Sequence, residues 1–488
     1  MIELSYEQKE DLGFKYVRDL LEPACPYGMR RLRAEGFYAR RDELERELEN
    51  VSILCAALDA DEAAVLDLRA ALGGLKELSG TVAACEGRAL TEVELFDLTA
   101  FCVRLRTLIP RAEALPGYDG LDGVRFARVE AALAILDPSE SGRLSFYVED
   151  ARTDALLAAR ERKRELERLL RAPDADREAL LPQRQEAAKA EEDALADVYR
   201  GMSEALREHL GALRACMEAA GRLDAAIAKA LVAKRFGCCR PALGGDTLSL
   251  TDAVHPQIAA ALASRGRSFT PITVELSRGV TVLTGANMGG KSVAMKTIML
   301  NAALALGGCF VFAASASVPM FEHLELINRD FSNAAEGLSS FGGEILRFNA
   351  AAGQLGSGLS FIAMDEFARG TNAREGAAIA RAAVRYLSDK NAVTLLATHY
   401  DGTAEFAVRH YQVKGLKRLD ASDDASGTGA DRLRRIENAM DYGLIEVEPG
   451  TECPRDALRI CHMLGMDAEI LSFIEREGRS AGQNESKT

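Results

Sequence analysis

Apolar residues recur every three or four positions through the first half of the chain, as in Leu44-Leu48-Val51-Leu54 and Leu95-Leu98-Phe101. That spacing puts one face of a helix against a core. Leu, Ala, Glu and Arg dominate to about residue 240, so this half is predicted to be almost entirely helical, with a loop at Leu136-Asp137-Pro138-Ser139-Glu140-Ser141-Gly142. A charged segment at 151–214 is broken at Ala172-Pro173-Asp174, which predicts two helices folded back as an antiparallel arm. The arm would stand out from a helical core at 1–150, and 215–240 would return to that core.

After Cys239-Arg240-Pro241 the period changes. Short β-prone runs appear at Thr247–Leu250, Ile272–Leu276 and Val280–Leu283, then at Leu359–Met364 and Ala392–Ala397, with helical stretches between them. Strands alternating with helices predict a parallel sheet covered on both faces. This second domain is expected over 241–440, with a flexible insertion near 420–432. A helical tail should follow at 441–477, and 478–488 should be disordered. No internal repeat is present.

Composition narrows the class. The 488 residues are 48% hydrophobic and 27% charged, the balance of a soluble protein of about three domains of ~150 residues. A disordered or collagen-like chain is excluded. Acidic residues outnumber basic ones, 74 to 60, for a net charge of −14. A protein gripping nucleic acid through phosphates should show a basic excess, at least locally. The arm carries 13 basic against 14 acidic residues and reads as a solvated helical surface. Arg30, Arg31, Arg33, Arg40 and Arg41 are the candidate local patch, with ordinary solvated charge as the alternative.

The ten cysteines are scattered without a C-x-x-C, the six histidines build no zinc spacing around them, and Met1-Ile2-Glu3-Leu4 opens no signal peptide. Reduced thiols and a cytoplasmic location are therefore expected. The 25 residues between Lys296 and Glu322 carry no charge, long enough to imitate a membrane span. Asn301, Gly307-Gly308 and Pro319 interrupt that stretch. It is predicted instead as a buried helix followed by a buried strand, with no membrane partner.

Three strand ends carry chemistry. Gly285-Ala286-Asn287-Met288-Gly289-Gly290-Lys291-Ser292 fits the phosphate-loop pattern G-x-x-x-x-G-K-[ST], between an apolar strand and a helix. Backbone N–H groups and the helix N-terminus would cradle phosphates, Lys291 would reach the β- and γ-phosphates, and Ser292 would ligate Mg²⁺. A second strand delivers Asp365-Glu366. Asp365 would hold Mg²⁺ through water, and Glu366 would act as general base on the attacking water, which favours ATP hydrolysis over transfer to a bound acceptor. A third strand ends in Thr398-His399-Tyr400, where His399 could sense the γ-phosphate; a structural histidine is the alternative.

Together these motifs resemble the MutS family of ATPases over residues 223–475. The loop Gly285–Ser292 resembles Thr-Gly-Pro-Asn-Met-Gly-Gly-Lys-Ser-Thr, departing at Ala286 and Val293. Asp365-Glu366-Phe367-Ala368-Arg369-Gly370-Thr371 resembles Asp-Glu-x-Gly-Arg-Gly-Thr, with Ala368 in place of a glycine. Val254-His255-Pro256 resembles the family's His-Pro segment, and Phe269-Thr270-Pro271 the segment whose aromatic packs near adenine. Gly337–Glu344 resembles the signature Ser-Thr-Phe-x-x-Glu, whose serine, here Ser339, is implied to reach the nucleotide of a second subunit. The tail from Val447 to Ile474 resembles a dimerisation element.

The resemblance implies an α + α/β architecture: a helical core with its arm, an ABC-type P-loop ATPase domain with a doubly wound sheet, and a small helical tail. It implies a homodimer using ATP and Mg²⁺, with Gly285, Ala286, Asn287, Met288, Gly289, Gly290, Lys291, Ser292, Val293, Phe269, His255 and Ser339 at the nucleotide. Family members that read mismatches carry a Phe-x-Glu wedge, and no Phe before residue 240 is followed two positions later by Glu. The first 240 residues are also expected to be too few for a mismatch-reading domain, a connector and a core. Leu144–Asp150, Thr398-His399-Tyr400-Asp401-Gly402 and Val413-Lys414-Gly415-Leu416 resemble the shortened forms that accompany adenosylcobalamin-dependent lysine/ornithine aminomutases. There the resemblance implies a reactivase ATPase subunit with a small co-subunit. The alternative is an ATP-dependent protein acting on mismatched or branched DNA.

Overall fold

A computed structural model describes residues 4–139, 152–285, 290–328, 340–356, 358–416, 439–451, 457–467 and 469–474, with a few isolated positions between. It divides into two compact units, one of residues 1–21, 36–48 and 232–488, the other of 22–35 and 49–231. Helices α1 (Tyr6–Asp11) and α2 (Phe14–Leu20) fall in the first unit, although a core domain running from residue 1 to 150 was expected.

The second unit is helical. It holds α3 (Pro26–Ala34), much of α4 (Arg41–Gly73), α5 (Ser79–Gly87), α6 (Glu92–Glu113), α7 (Glu130–Leu136), α8 (Asp154–Leu170), α9 (Arg177–Leu206) and most of α10 (Leu210–Phe236). Helix α6 begins where Thr91 and Glu94 form a capping box and turns Leu95, Leu98, Phe101, Leu105 and Leu108 inward. Arg88 donates to Glu94 and holds its carboxyl down at about 2. The arm is α8 and α9, joined across Arg171–Asp176, with Asp176 capping α9 by accepting from the Ala179 N–H at 3.2 Å. Leu156, Ala194 and Val198 form its apolar seam. Its charges pair internally, Arg160 and Lys163 with Glu191, and Arg184 with Glu167.

The first unit contains two sheets. Strands β1 (Ala242–Leu243), β2 (Leu248–Ala253), β3 (Ile272–Leu276) and β5 (Ser315–Val318) form a four-stranded sheet in the order β1-β5-β2-β3. Strands β4 (Gly279–Thr284), β6 (His323–Ile327), β7 (Ser360–Asp365), β8 (Ala392–Ala397), β9 (Arg409–Leu416) and β10 (Met440–Val447) form the larger sheet, ordered β10-β9-β4-β8-β7-β6. All neighbours there are parallel except β9 and β10.

Helices α11 (Pro256–Ala263), α12 (Lys291–Leu306), α13 (Ser340–Gly353), α14 (Ala373–Ser388) and α15 (Ala457–Leu464) complete the unit. Val280, Val282, Ile362, Met364 and Leu396 share one face of the sheet and pack with Ala351 of α13 and with Ala383, Val384 and Leu387 of α14. The alternate residues of these strands point to the other face, as the period of two requires.

The uncharged stretch is α12, buried from Thr297 to Leu306, and among the described residues no helix is long and apolar enough to cross a membrane. The strand that follows departs from expectation: in β5 only Val318 is buried. The tail departs too, since residues 440–447 are not helical but pair as β10 along the free edge of β9. Backbone groups left unpaired on β9 explain that choice. The insertion expected near 420–432, Arg432 apart, and the terminal 478–488 lie outside the described residues.

Candidate functional site

Sheet register brings three strand ends together. Leu283 and Asp365 both stand opposite Ala397 of the central β8. Beyond the strands, the Glu366 N–H donates to the Ala397 carbonyl at 2.9 Å and the Thr398 N–H to the Leu283 carbonyl at 3.0 Å. The segments at Gly285, Asp365-Glu366 and Thr398-His399 therefore emerge side by side at the carboxyl edge, where ligands of open α/β sheets bind.

Gly285 (φ 149°) and Gly290 (φ 89°) take backbone conformations that L side chains rarely adopt, and Gly290 caps α12. Lys291, 5% exposed, donates from Nζ to the Gly285 carbonyl at 2.7 Å, so its ammonium spans the mouth of the loop. Just before the loop, Thr284 Oγ1 and His410 Nε2 are 2.8 Å apart. Ala286, Asn287, Met288, Gly289 and Ser339 lie outside the described residues.

Ser292 hydrogen-bonds Asp365, whose carboxyl burial nevertheless pushes above the usual range. Asp365 Oδ1 is buried and has no hydrogen-bond partner among the described residues. Glu366 sits in the left-handed region (φ 51°), as does Ala368 (φ 64°), and its carboxylate pairs with Arg369. His399 has a buried Nδ1 without a hydrogen-bond partner among the described residues, and its ring lies 4.4 Å from that of Tyr400. Burial holds its imidazole below the ordinary value, despite the opposing field of Glu366.

A cavity of about 540 Å³ adjoins these groups. Gly290, Lys291, Ser292, Val293, Glu366 and Arg369 line it, together with Ile258, Leu262, Arg267, Phe269, Thr270 and Ile272. The structure thus gathers Lys291, Ser292, Val293, Glu366 and Phe269 around one space. His255 is not on that wall. It is 1% exposed, caps α11 by accepting from the Ile258 N–H at Nδ1 (3.4 Å), and packs so tightly on Gly13 that a Cβ there would stand 2.6 Å from its ring. Burial drops its pKa to about 4.

Tyr442 of β10 also lines the cavity, close over Gly290, whose added Cβ would lie 3.0 Å from the Tyr442 ring. No sequence signal marked it, because it follows the phosphate loop by some 150 residues on an unforeseen strand. Of the candidate basic patch, Arg30 pairs with Glu77, Arg31 with Glu35, Arg40 with Asp42 and Arg41 with Glu45.

Residues 281–459 match the family MutS domain V. Among curated relatives, the chain is 30% identical over 250 residues to the DNA mismatch repair protein MutS of Natronomonas pharaonis, covering 50% of this chain and 28% of that one. It is 29% identical over 328 residues to the DNA mismatch repair protein MutS of Thermus thermophilus, covering 66% and 35%. To the Endonuclease MutS2 of Thermomicrobium roseum it is 29% identical over 296 residues, covering 59% and 35%. The chain spans about a third or less of the length of these relatives. Over the matched residues the chain is similar to the MutS family.

Proposed function

We propose that this chain binds ATP with Mg²⁺, hydrolyses it, and turns the cycle into conformational work as a homodimer. The observation that carries the reading is the convergence of Lys291, Ser292, Asp365 and Glu366 beside a cavity that Phe269 and Tyr442 also line. A base would lie against Phe269 and Tyr442 on the cavity wall, and the phosphates would lie across the N-terminus of α12. Lys291 would exchange the Gly285 carbonyl for phosphate oxygens.

The Ser292 hydroxyl and the unpartnered buried oxygen of Asp365 fit a hard cation that keeps most of its waters. Held by those two residues, Mg²⁺ would supply positive charge against the phosphates. Glu366, once released from Arg369, takes the proton of a water as its oxygen attacks the γ-phosphorus, and the bond to the β-bridging oxygen breaks to leave ADP and phosphate. His399, kept neutral by burial, can donate one hydrogen bond to the γ-phosphate without carrying charge. Ser339 would complete the site of the second subunit.

Lys291→Ala should abolish nucleotide binding, and Glu366→Gln should bind ATP without turnover. Undiminished hydrolysis by Glu366→Gln would refute the base assignment. Mixing Ser339→Arg with Lys291→Ala subunits should leave few competent sites, and full activity in the mixture would remove the shared-site reading.

For the client, an adenosylcobalamin-dependent lysine/ornithine aminomutase, relieved of damaged cofactor with the help of a small co-subunit, is the first reading. The near-neutral arm with its internal ion pairs and the paired arginines support a protein client. Mismatched or branched DNA is the second, supported by the names of the relatives. ATPase rate at low salt, titrated with homoduplex, mismatched and four-way-junction DNA, separates them. Saturable stimulation that weakens as salt rises selects DNA. A flat response that gives way to stimulation by inactivated aminomutase selects the protein.

A further inference from the structure

The turn that carries Glu366 is held from outside itself. Two of its residues, Glu366 and Ala368, sit at φ 51° and 64°, a region that costs an L residue about 1–2 kcal/mol and persists only where surroundings enforce it. The Arg369 N–H closes the turn onto the Glu366 carbonyl at 3.1 Å. The buried N–H of Ala368 donates to Glu344 Oε2 at 3.0 Å. Glu344 is 2% exposed, on the first turns of α13, and Ala368 is fully buried. On the opposite side, the Tyr400 hydroxyl donates to the Ala368 carbonyl at 3.3 Å.

A charged acceptor makes the stronger kind of hydrogen bond to a backbone N–H. Burying a carboxylate is expensive, so Glu344 is a costly way to hold a loop that only needs to be compact. What it specifies is the direction of the peptide unit two residues beyond Glu366. The same helix begins immediately after the segment containing Ser339. A shift of α13 would therefore reach the Glu366 turn through this carboxylate, alongside the ring contact of Phe348 with Phe367.

We propose that Glu344 is a positioning residue for Glu366, acting through the Ala368 N–H and coupling the start of α13 to the orientation of the base. This rests on the ATP-hydrolysis reading above. Glu344 is not among the residues that line the cavity, so its loss should leave nucleotide affinity intact and reduce turnover. A base displaced by about 1 Å costs on the order of 100-fold in rate.

The test compares Glu344→Ala and Glu344→Gln with wild type, measuring kcat, nucleotide affinity by titration, and hydrogen exchange at the Ala368 amide. Glu344→Ala should lose on the order of 100-fold in kcat with unchanged affinity and a faster-exchanging Ala368 amide. Glu344→Gln, which keeps an acceptor oxygen, should recover most of the rate and the protection. In a Glu366→Gln background, Glu344→Ala should cause no further loss, because it acts through the absent base. Wild-type turnover by Glu344→Ala, parallel loss of affinity and rate, or additive losses would each overturn the proposal. Wild-type protein whose hydrolysis is unaffected by Lys291→Ala would instead sink the ATPase reading, while amide exchange would still report whether Glu344 holds the turn.

Discussion

Replacing Gly376 by alanine should destabilise the protein, although the same change in most helices stabilises it. Gly376 lies in the first turns of α14, where its N–H donates to the Asn372 carbonyl at 2.8 Å. On helix propensity alone, alanine would gain up to about 1 kcal/mol. A Cβ at this position, however, would stand 2.3 Å from Tyr400 Oη and 2.7 Å from the Ala368 carbonyl oxygen. The carbonyl belongs to the turn behind Glu366 and cannot retreat freely, because Glu344 holds its own residue's N–H. The tyrosine ring must give way, and with it the hydrogen bond to Ala368.

Overpacking of this kind costs about 1–3 kcal/mol, and leaving the buried carbonyl unpaired costs about 1–3 more. Set against a gain of about 1, the net loss is roughly 1–5 kcal/mol. Urea unfolding and thermal melts of Gly376→Ala against wild type measure it directly. About 2–4 °C per kcal/mol is the expected scale for a unit of this size. Adding Tyr400→Phe should recover part of the loss, since it removes the nearest clashing atom but not the carbonyl. A Gly376→Ala protein as stable as wild type, or more so, would refute the packing argument and with it the rigidity assigned to the turn.

Tyr442→Ala should weaken nucleotide binding about 10- to 100-fold, the worth of roughly 1–3 kcal/mol for an aromatic stacked on a base, measured by fluorescent-nucleotide titration; unchanged affinity would remove Tyr442 from the base site. Asp365→Asn should keep nucleotide binding in the absence of Mg²⁺ and lose the tightening that Mg²⁺ brings, and an undiminished Mg²⁺ effect would contradict its place as a ligand. His255 takes a proton near 6.5 when unfolded and only near about 4 when folded, so between those values the unfolded chain binds more protons and stability falls as pH falls, by up to about 3 kcal/mol. His255→Asn, which keeps a capping acceptor for α11, should flatten that acid loss in unfolding curves between pH 6.5 and 4, and an unchanged pH dependence would show that the imidazole titrates normally.

What the sequence disclosed follows the physics of each segment. Strands β3 and β8 are legible to the residue: Ile272, Val274 and Leu276 alternate with polar positions in one, and the other is a short, fully buried run after Lys390-Asn391. Pro173 and its neighbours break an otherwise continuous helical period, and α8 and α9 fall on either side of that break. Strands β9 and β10 are not legible. Gln412, Lys414 and Gly415 interrupt the apolar run of one, and the other is an edge strand with one partner, whose residues need not alternate. Hydrogen bonds supplied by a neighbour distant in sequence decide both. For the same reason α1 and α2 read as part of a helical core. Their place beside the larger sheet depends on Asp11 meeting Lys296 and Asn328, and on Gln8 meeting Glu325, about 285 and 317 residues away.

The candidate site divides along the same line. Lys291, Ser292, Asp365 and Glu366 are legible because their spacing is a local demand of phosphate chemistry and strand ends. The groups that aim them are not, since Glu344, Tyr400 and Gly376 meet around Ala368 from three separate elements. Ala368 shows the difference best. In the sequence it is a departure from a glycine in a resembling motif, a question about rate with no means of answering it. In the fold it is a left-handed residue whose N–H, carbonyl and methyl group are all engaged. Its strain of about 1–2 kcal/mol is outweighed by a buried methyl worth about 0.8 kcal/mol together with two hydrogen bonds of about 1 kcal/mol each. A glycine would relax the strain and give up both the methyl contact and the resistance to rotation. The substitution therefore trades conformational ease for a turn with one orientation, as the proposed positioning of Glu366 by α13 would require.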